Sequence, residues 1–294
     1  RPIPYILPYY RGGSTTWSSG LVGQRLTEAW GEQVIIDNRP GASTVIGTEL
    51  AIRSKPDGYT LLYIGSALCS NQTLMKTPYD AIKDIAPIAT VSSYENLFVI
   101  HPSVPVKSVQ EFIALAKRRP GELNYATSSH GGSTHLAAAL FNLVAKIKTT
   151  QIPYKGGGPA VVDLMGGQVQ FFFSVPVNVV TSVKAGRLRA LAITGNKRIA
   201  ALPDVPSFAE AGMPEMALAT WQGLGAPAAT PKEIIDKISA EVAKLVAAPD
   251  TKEKLAAQGF EPYYNNPEQT ATLIKQDIER FARIIRDAGI KTEH

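Results

Sequence analysis

Two short stretches gather the residue types that hold an anion. The first is Tyr9-Tyr10-Arg11-Gly12-Gly13-Ser14-Thr15-Thr16, and the second is Ser128-Ser129-His130-Gly131-Gly132-Ser133-Thr134-His135. Each follows a short apolar run and precedes a helix-like pattern. A helix N-terminus carries unpaired N–H donors and partial positive charge, so glycines and hydroxyls at that point suit a carboxylate or another small anion. The bland alternative for both is an ordinary strand-to-helix turn with a capping hydroxyl. A third glycine stretch, Lys155-Gly156-Gly157-Gly158, reads either as a loop on a cleft rim or as a plain turn. None is a nucleotide motif: no lysine follows the first loop in register, and Gly12, Gly13 and Gly20 do not give GxGxxG.

Catalytic readings find little support. The His130-Gly131-Gly132 triplet echoes the oxyanion loop of esterases, but the GxSxG turn that must accompany it is absent. The single cysteine, Cys69, follows an apolar run and reads as a small buried hydrophobe. The four histidines, at 101, 130, 135 and 294, form no HExxH motif, and no acidic loop of the calcium type occurs. No metal, cofactor or catalytic residue is therefore expected. His135 reads as a first-turn helix residue facing other protein; His130, in the loop, stays open between ligand contact and structure. Arg11, beside a glycine turn, should be exposed, either solvated or reaching a second carboxylate bidentately. Tyr9 or Tyr10 and Trp221 could line a cleft, although core is the safer reading for each aromatic. Strand alternation should send Phe171 and Phe173 one way and Phe172 the other.

The elements that must position these loops alternate. "PYILPYY" reads as a strand, Ser18 to Trp30 as a helix, "QVIIDNRPG" as a strand, Ala42 to Ser54 as a helix and "YTLLYIGS" as a strand. That order predicts a parallel sheet with crossover helices, whose ligands sit beyond the carboxyl ends of the strands. Gly65-Ser66-Ala67 lies at such an end too. "LNYATSSHGGSTHLAAALFNLVA" repeats the opening strand, loop and helix, and "TTQIPYKGGGPAVVDLMGGQVQFFFSV" adds another unit. Helix starts are predicted at Ser108 with Glu111, Thr230 with Glu233, Asp250 with Glu253 and Asn266 with Gln269, each a capping box. The fold class expected is α/β with two lobes. Residues 1–100 plus 223–294 form lobe 1, residues 101–222 form lobe 2, and a ligand cleft lies between them. A hinge-closing binder is the architecture this implies.

Composition agrees. The chain has 294 residues, 45% of them hydrophobic and 19% charged, with net charge +5. No apolar run nears the ~20 residues of a membrane span. Lysine and arginine are scattered, so no nucleic-acid partner is expected. The start at Arg1 reads as a processed mature form or a trimmed chain, and the closing "TEH" as a place for a tag remnant.

The series "PYYRGGSTT", "NRPGA", "PDGYTLL", "LNYATSSHGGSTHLA", "PYKG", "LPDVP…EAG" and "TWQGLGAPAATP" resembles, in order from about residue 5 to residue 290, the solute receptors of tripartite tricarboxylate transporters, the Bug family. The resemblance implies a periplasmic protein of Venus-flytrap fold, each lobe a mainly parallel sheet flanked by helices. It implies delivery of a small carboxylate to a membrane permease, with no catalysis and a monomeric chain that is not embedded in the membrane. Such receptors grip a ligand carboxylate between the first βα loop and its counterpart in lobe 2, partly through ordered water. Carried over, these are Gly12, Gly13, Ser14, Thr15 and Thr16, and Ser128, Ser129, His130, Gly131, Gly132, Ser133 and Thr134. Ser66 and Ala67 match a third loop; Lys155, Gly156, Gly157 and Ser174 match the distal end. Tyr9 and Arg11 complete the expected site.

The chain departs from the family pattern where charge matters. The usual first loop resembles "FPPGGPTD"; here Tyr10 and Arg11 replace two prolines, and Thr16 replaces the acid. A later "FDN" becomes Phe173-Ser174-Val175. Two carboxylates lost and one guanidinium gained, each worth about a few kcal/mol at close range, favour a ligand with two carboxylates and no ammonium group. The tyrosines and Trp17 suit an aromatic diacid such as terephthalate, with a linear aliphatic diacid as the close rival. Alternatives are a ligand-sensing partner in signalling or, least supported, an acyl hydrolase using the His130 loop.

Overall fold

The computed structural model describes residues 1–292; Glu293 and His294, the last two residues of the expected tag remnant and the second of them the fourth histidine, lie outside the described residues. The chain begins β1 (Ile3–Leu7), α1 (Ser14–Trp30), β2 (Val34–Asn38), a 3-10 turn at Ala42–Thr44, α2 (Val45–Ile52), β3 (Leu61–Gly65), α3 (Ser66–Leu74) and β4 (Ile85–Tyr94). It continues β5 (Leu97–Ile100), α4 (Val109–Arg118), β6 (Asn124–Thr127), α5 (Ser133–Ala145), β7 (Thr150–Pro153), α6 (Gly157–Met165), β8 (Phe171–Ser174), α7 (Val180–Lys184) and β9 (Arg189–Ile193). It ends β10 (Thr220–Pro227), α8 (Lys232–Ala247), α9 (Pro249–Ala257), β11 (Glu261–Pro262) and α10 (Pro267–Asp287).

These strands make two sheets, ordered β11-β4-β10-β3-β1-β2 and β7-β6-β8-β5-β9. The βαβ segments pair in parallel, β1 with β2 and β3, β6 with β7 and β8. The strands next to the crossings, β4, β10 and β5, pair antiparallel, so each sheet is mixed. The chain leaves the first sheet after Tyr94 and enters the second at Leu97, then leaves after Ile193 and re-enters the first at Thr220. Both sheets are flanked by helices, giving a two-lobed α/β fold.

In each sheet one strand has its successors on opposite sides: β1 lies between β2 and β3, and β6 between β7 and β8. The crossover helices must diverge there, which opens a crevice at the carboxyl end of the strand. The loop after β1 is residues 8–13 and the loop after β6 is residues 128–132, so the two glycine–hydroxyl stretches occupy corresponding crevices.

Packing follows the alternation. Phe171 and Phe173 join Phe98, Phe112, Phe141 and Phe208 in one aromatic core, with Phe98 stacked on Phe173 at 4.8 Å, whereas Phe172 packs on the opposite face with Ala160, Val161 and Leu164. The larger core is continuous across the lobes: Ile6 and Leu62 of the first sheet and Leu68 of α3 belong with Phe98, Leu136 and Phe141 of the second lobe. Cys69 is fully buried there, and burial pushes its thiol pKa up, as an inert core residue requires. Trp221 is also core; its indole N–H donates to Asp277 Oδ2 at 2.8 Å.

Three of the four expected capping boxes differ. Asn266 and Gln269 form the full reciprocal box, whereas Ser108 accepts from Glu111 N–H but the Glu111 carboxylate accepts from Lys107 N–H instead of the Ser108 N–H. α8 instead starts one residue later, with Pro231 as its cap and the Thr230 hydroxyl buried without a partner. α9 starts at Pro249 with Ala248 as cap, so Asp250 falls inside the first turn. In both places proline, already set at helical or pre-helical φ, fixes the start ahead of the hydroxyl or carboxylate.

Candidate functional site

The crevices of the two sheets face one another across a cavity of about 240 Å³. From the first sheet its wall takes Pro8, Tyr9, Tyr10, Gly13, Ser14 and Thr15 after β1, Pro40–Thr44 after β2, Tyr63 and Ser66 around the end of β3, and Tyr94 at the end of β4. From the second it takes Ser128, Ser129, His130, Gly132 and Ser133 after β6, Tyr154–Gly157 after β7, and Val175 and Asn178 after β8.

Five helices begin at this wall: α1, α2, α3, α5 and α6. The N-cap of α2 is Thr44, and those of α1, α3, α5 and α6 are Gly13, Gly65, Gly132 and Gly156; none of the five has a side-chain cap, and none carries an acid in its first turn. Of the helices that begin elsewhere, all but the five-residue α7 are furnished differently. α4 and α10 are capped by Ser108 and Asn266, and α4, α8, α9 and α10 each carry a first-turn acid. Glycine leaves the first N–H groups of a helix unsatisfied, and the absent acid leaves their partial charge uncompensated. Four such ends around one cavity form a site for negative charge.

The side chains of the wall agree with that field. No aspartate or glutamate lines it, and Lys155 is its one lysine or arginine. Five tyrosines supply apolar surface with polar tips: Tyr9, Tyr10, Tyr63, Tyr94 and Tyr154. Tyr9 and Tyr63 meet edge to face at 5.4 Å. Burial raises the pKa of Tyr9, Tyr63 and Tyr94, so these phenols stay protonated and able to donate. Burial and the Asp163 carboxylate, which accepts from the Tyr154 hydroxyl at 2.8 Å, push the Tyr154 pKa up to about 12.

Thirteen expected residues reach the wall: Tyr9, Gly13, Ser14, Thr15, Ser66, Ser128, Ser129, His130, Gly132, Ser133, Lys155, Gly156 and Gly157. Seven do not. Arg11 is exposed outside it, and Gly12 and Gly131 supply the left-handed φ of +82° and +67° that let the two loops turn. Thr16 is on the next face of α1, 3.5 Å from the Asn38 amide. Ala67 is fully buried in α3. Thr134 is buried behind the loop, where its hydroxyl accepts from Ser128 N–H at 3.1 Å and lies 3.1 Å from Ser128 Oγ. Ser174 is buried and donates to Val175 O at 3.1 Å, so Val175 faces the cavity instead.

His135 is buried in α5, where its Nδ1 accepts from Gly131 N–H at 3.1 Å. Burial, then the nearby His130, lowers its pKa to about 4, which keeps the ring neutral and fixes the accepting nitrogen. It shapes the loop from behind. Among the described residues no group of three or more metal-ligating side chains occurs. The Ser103–His101 hydrogen bond, at 2.7 Å, lies on an exposed loop away from the cavity.

The wall residues missed in the sequence are chiefly Pro40–Thr44, Tyr63, Tyr154 and Asn178. Their signal was topological. Pro40–Thr44 and Tyr154 follow β2 and β7, whose carboxyl ends lie beside those of β1 and β6.

The model of the family described as the tripartite tricarboxylate transporter family receptor matches residues 21–290. Protein BugT of Bordetella pertussis is 36% identical over 99% of this chain and 90% of its own length. Among solved structures, a protein of R. palustris with adipate is 32% identical, with TM-score 0.95 and coverage of 99% of this chain and 98% of that one. MatC of Rhodopseudomonas palustris with bound malate is 27% identical, with TM-score 0.91 and coverage of 97% and 99%. No described helix is long and apolar enough to cross a membrane. With its sequence matched from residue 21 to residue 290 and its two lobes superposing on these proteins, the chain belongs to the receptor family of the tripartite tricarboxylate transporters.

Proposed function

We propose that this receptor captures a small dicarboxylate in the periplasm and hands it, unchanged, to a membrane permease. The carrying observation is the wall: four glycine-capped helix N-termini with no acid among the lining side chains. One carboxylate sits between the ends of α1 and α5, donated to by Ser14, Thr15, Ser128 and Ser133. The absence of an acidic lining residue disfavours an ammonium group, and so an amino-acid ligand. Lys155, in the wall where Arg11 is not, meets the second carboxylate. The passage of the chain between sheets at residues 95–96 and 194–219 supports two lobes, with divisions a few residues ahead of the expected 100/101 and 222/223.

The candidates are a linear aliphatic diacid, in line with the adipate and malate bound by the related proteins, and an aromatic diacid such as terephthalate, which the tyrosine-rich wall would also accept. Calorimetry with adipate, malate, terephthalate, the matched mono-acids and glutamate tests this. A diacid should bind at least about tenfold tighter than its mono-acid and than glutamate, and should be recovered intact. Equal binding of mono-acid or glutamate, or conversion of the ligand, overturns it.

A further inference from the structure

We propose that Asn71 is a positioning residue for the cavity, its amide holding the Ala42–Thr44 turn in a left-handed shape that the turn's own residues resist. Ala42, Ser43 and Thr44 have φ of 42°, 49° and 84°. None is glycine, and Thr44 is β-branched. Left-handed backbone costs free energy at each such residue, and most for branched ones. Three in succession persist only where surrounding structure over-determines them. All three line the cavity, so their shape is the shape of that wall.

The restraint is visible. Asn71, on α3, is fully buried. Its Nδ2 donates to Ser43 O at 2.6 Å and to Thr44 Oγ1 at 3.1 Å. Both amide hydrogens are thus directed at the turn, which itself adds two backbone bonds, Thr44 N–H to Gly41 O at 3.1 Å and Val45 N–H to Ala42 O. Leucine fills the volume of asparagine without a donor, and aspartate would set an acceptor against the Ser43 carbonyl; only the amide satisfies the turn.

The preceding residue does the corresponding task for the other lobe. Ser70 Oγ donates to Gly131 O at 2.7 Å. A methyl group at Gly131 would stand 2.6 Å from Leu74 Cδ1 and 3.3 Å from Asn71 Oδ1, so the loop rests directly on α3. Two consecutive side chains of one helix therefore set the span between the first-sheet turn and the second-sheet loop. The link from this to affinity rests on the ligand reading of the cavity given above; the hold on the turn does not.

The test is a cycle of Asn71→Ala with the pair Ser43→Gly and Thr44→Gly, since glycine adopts positive φ without strain. Two readouts are taken: adipate affinity by calorimetry, and hydrogen–deuterium exchange of residues 41–48 without ligand. In the native background Asn71→Ala should speed that exchange and weaken adipate at least about tenfold; with the glycine pair present, the same change should cost less than about threefold. An equal loss in both backgrounds, or none in the native one, overturns the proposal. Should Asn71→Ala not fold, Thr44→Val, which removes one acceptor and keeps the strained φ, must also speed exchange; unchanged exchange overturns the proposal. If wild type binds no diacid while exchange responds as expected, the hold on the turn stands and the dicarboxylate reading falls.

Discussion

The Tyr94 hydroxyl lies 3.2 Å from Ser133 Oγ, a hydrogen bond joining the last residue of β4 in one sheet to the first residue of α5 in the other. Asn96, in the crossing between the sheets, reaches the same residue through Nδ2 to Ser133 O at 3.4 Å. The N-terminus of α5 is thereby fixed against the crossing between the sheets. Tyr94→Phe should cost about 1 kcal/mol of stability. Combined with Ser133→Ala in denaturant melts, it should add much less than the sum of the single losses. Full additivity would show the two hydroxyls to be independent.

Gly13 caps α1 at the cavity with extended φ of –98°, and a Cβ there would meet nothing within 4 Å. Aspartate fits this position and is a preferred N-cap. Gly13→Asp should leave the unfolding free energy of the free protein equal or higher, by about a few tenths of a kcal/mol. Its carboxylate would occupy the donors meant for ligand, so dicarboxylate affinity should fall at least about a hundredfold. Retained affinity in calorimetry would remove the α1 terminus from the site.

Lys155 and Arg11 separate two accounts of the second carboxylate. Lys155 lines the cavity and Arg11 is outside it. Lys155→Met should weaken a diacid by roughly three- to tenfold, the range of a partly exposed ion pair, and leave its mono-acid almost unchanged. Arg11→Ala should change both by less than about twofold. The reverse order, read by calorimetry, would restore Arg11 as the ligand's partner.

His135 makes stability depend on pH. Its folded pKa is lowered from 6.5 to about 4 by burial, then by His130. Above pH 6.5 both states are neutral and the contribution is complete. Between 6.5 and 4 the unfolded chain binds a proton that the folded chain refuses, so stability falls with pH, by about 3 kcal/mol in all. His135→Gln, which keeps an acceptor for Gly131 N–H, should flatten this part of the profile of melting temperature against pH. Parallel profiles for variant and wild type would mean that other groups carry the acid sensitivity.

Much of the architecture was legible because it is local. The βαβ order, the two glycine–hydroxyl loops, the opposed faces of Phe171 to Phe173 and the caps at Ser108 and Asn266 all follow from spacing within a dozen residues. The start of α1 was not: it begins at Ser14, four residues before the first expected helical residue, because Gly13 can open a helix without a hydroxyl cap. The Pro40–Thr44 wall was hidden for a related reason. Ala-Ser-Thr carries no preference for positive φ, and the restraint comes from Asn71, distant in sequence. Arg11 was read as exposed from its place beside a glycine turn, either solvated or reaching a carboxylate, but whether a side chain at a loop apex turns inward is set by tertiary contacts, which spacing does not encode.

The apolar core that runs from Ile6 and Leu62 through Leu68 to Phe98 and Phe141 belongs to neither lobe alone. Cutting the chain at its crossings would lay bare an oily face on each fragment, so the halves are not separable modules. Heating should melt them together in one calorimetric peak, and a guest gripped in the cleft should shift that whole peak upward without splitting it.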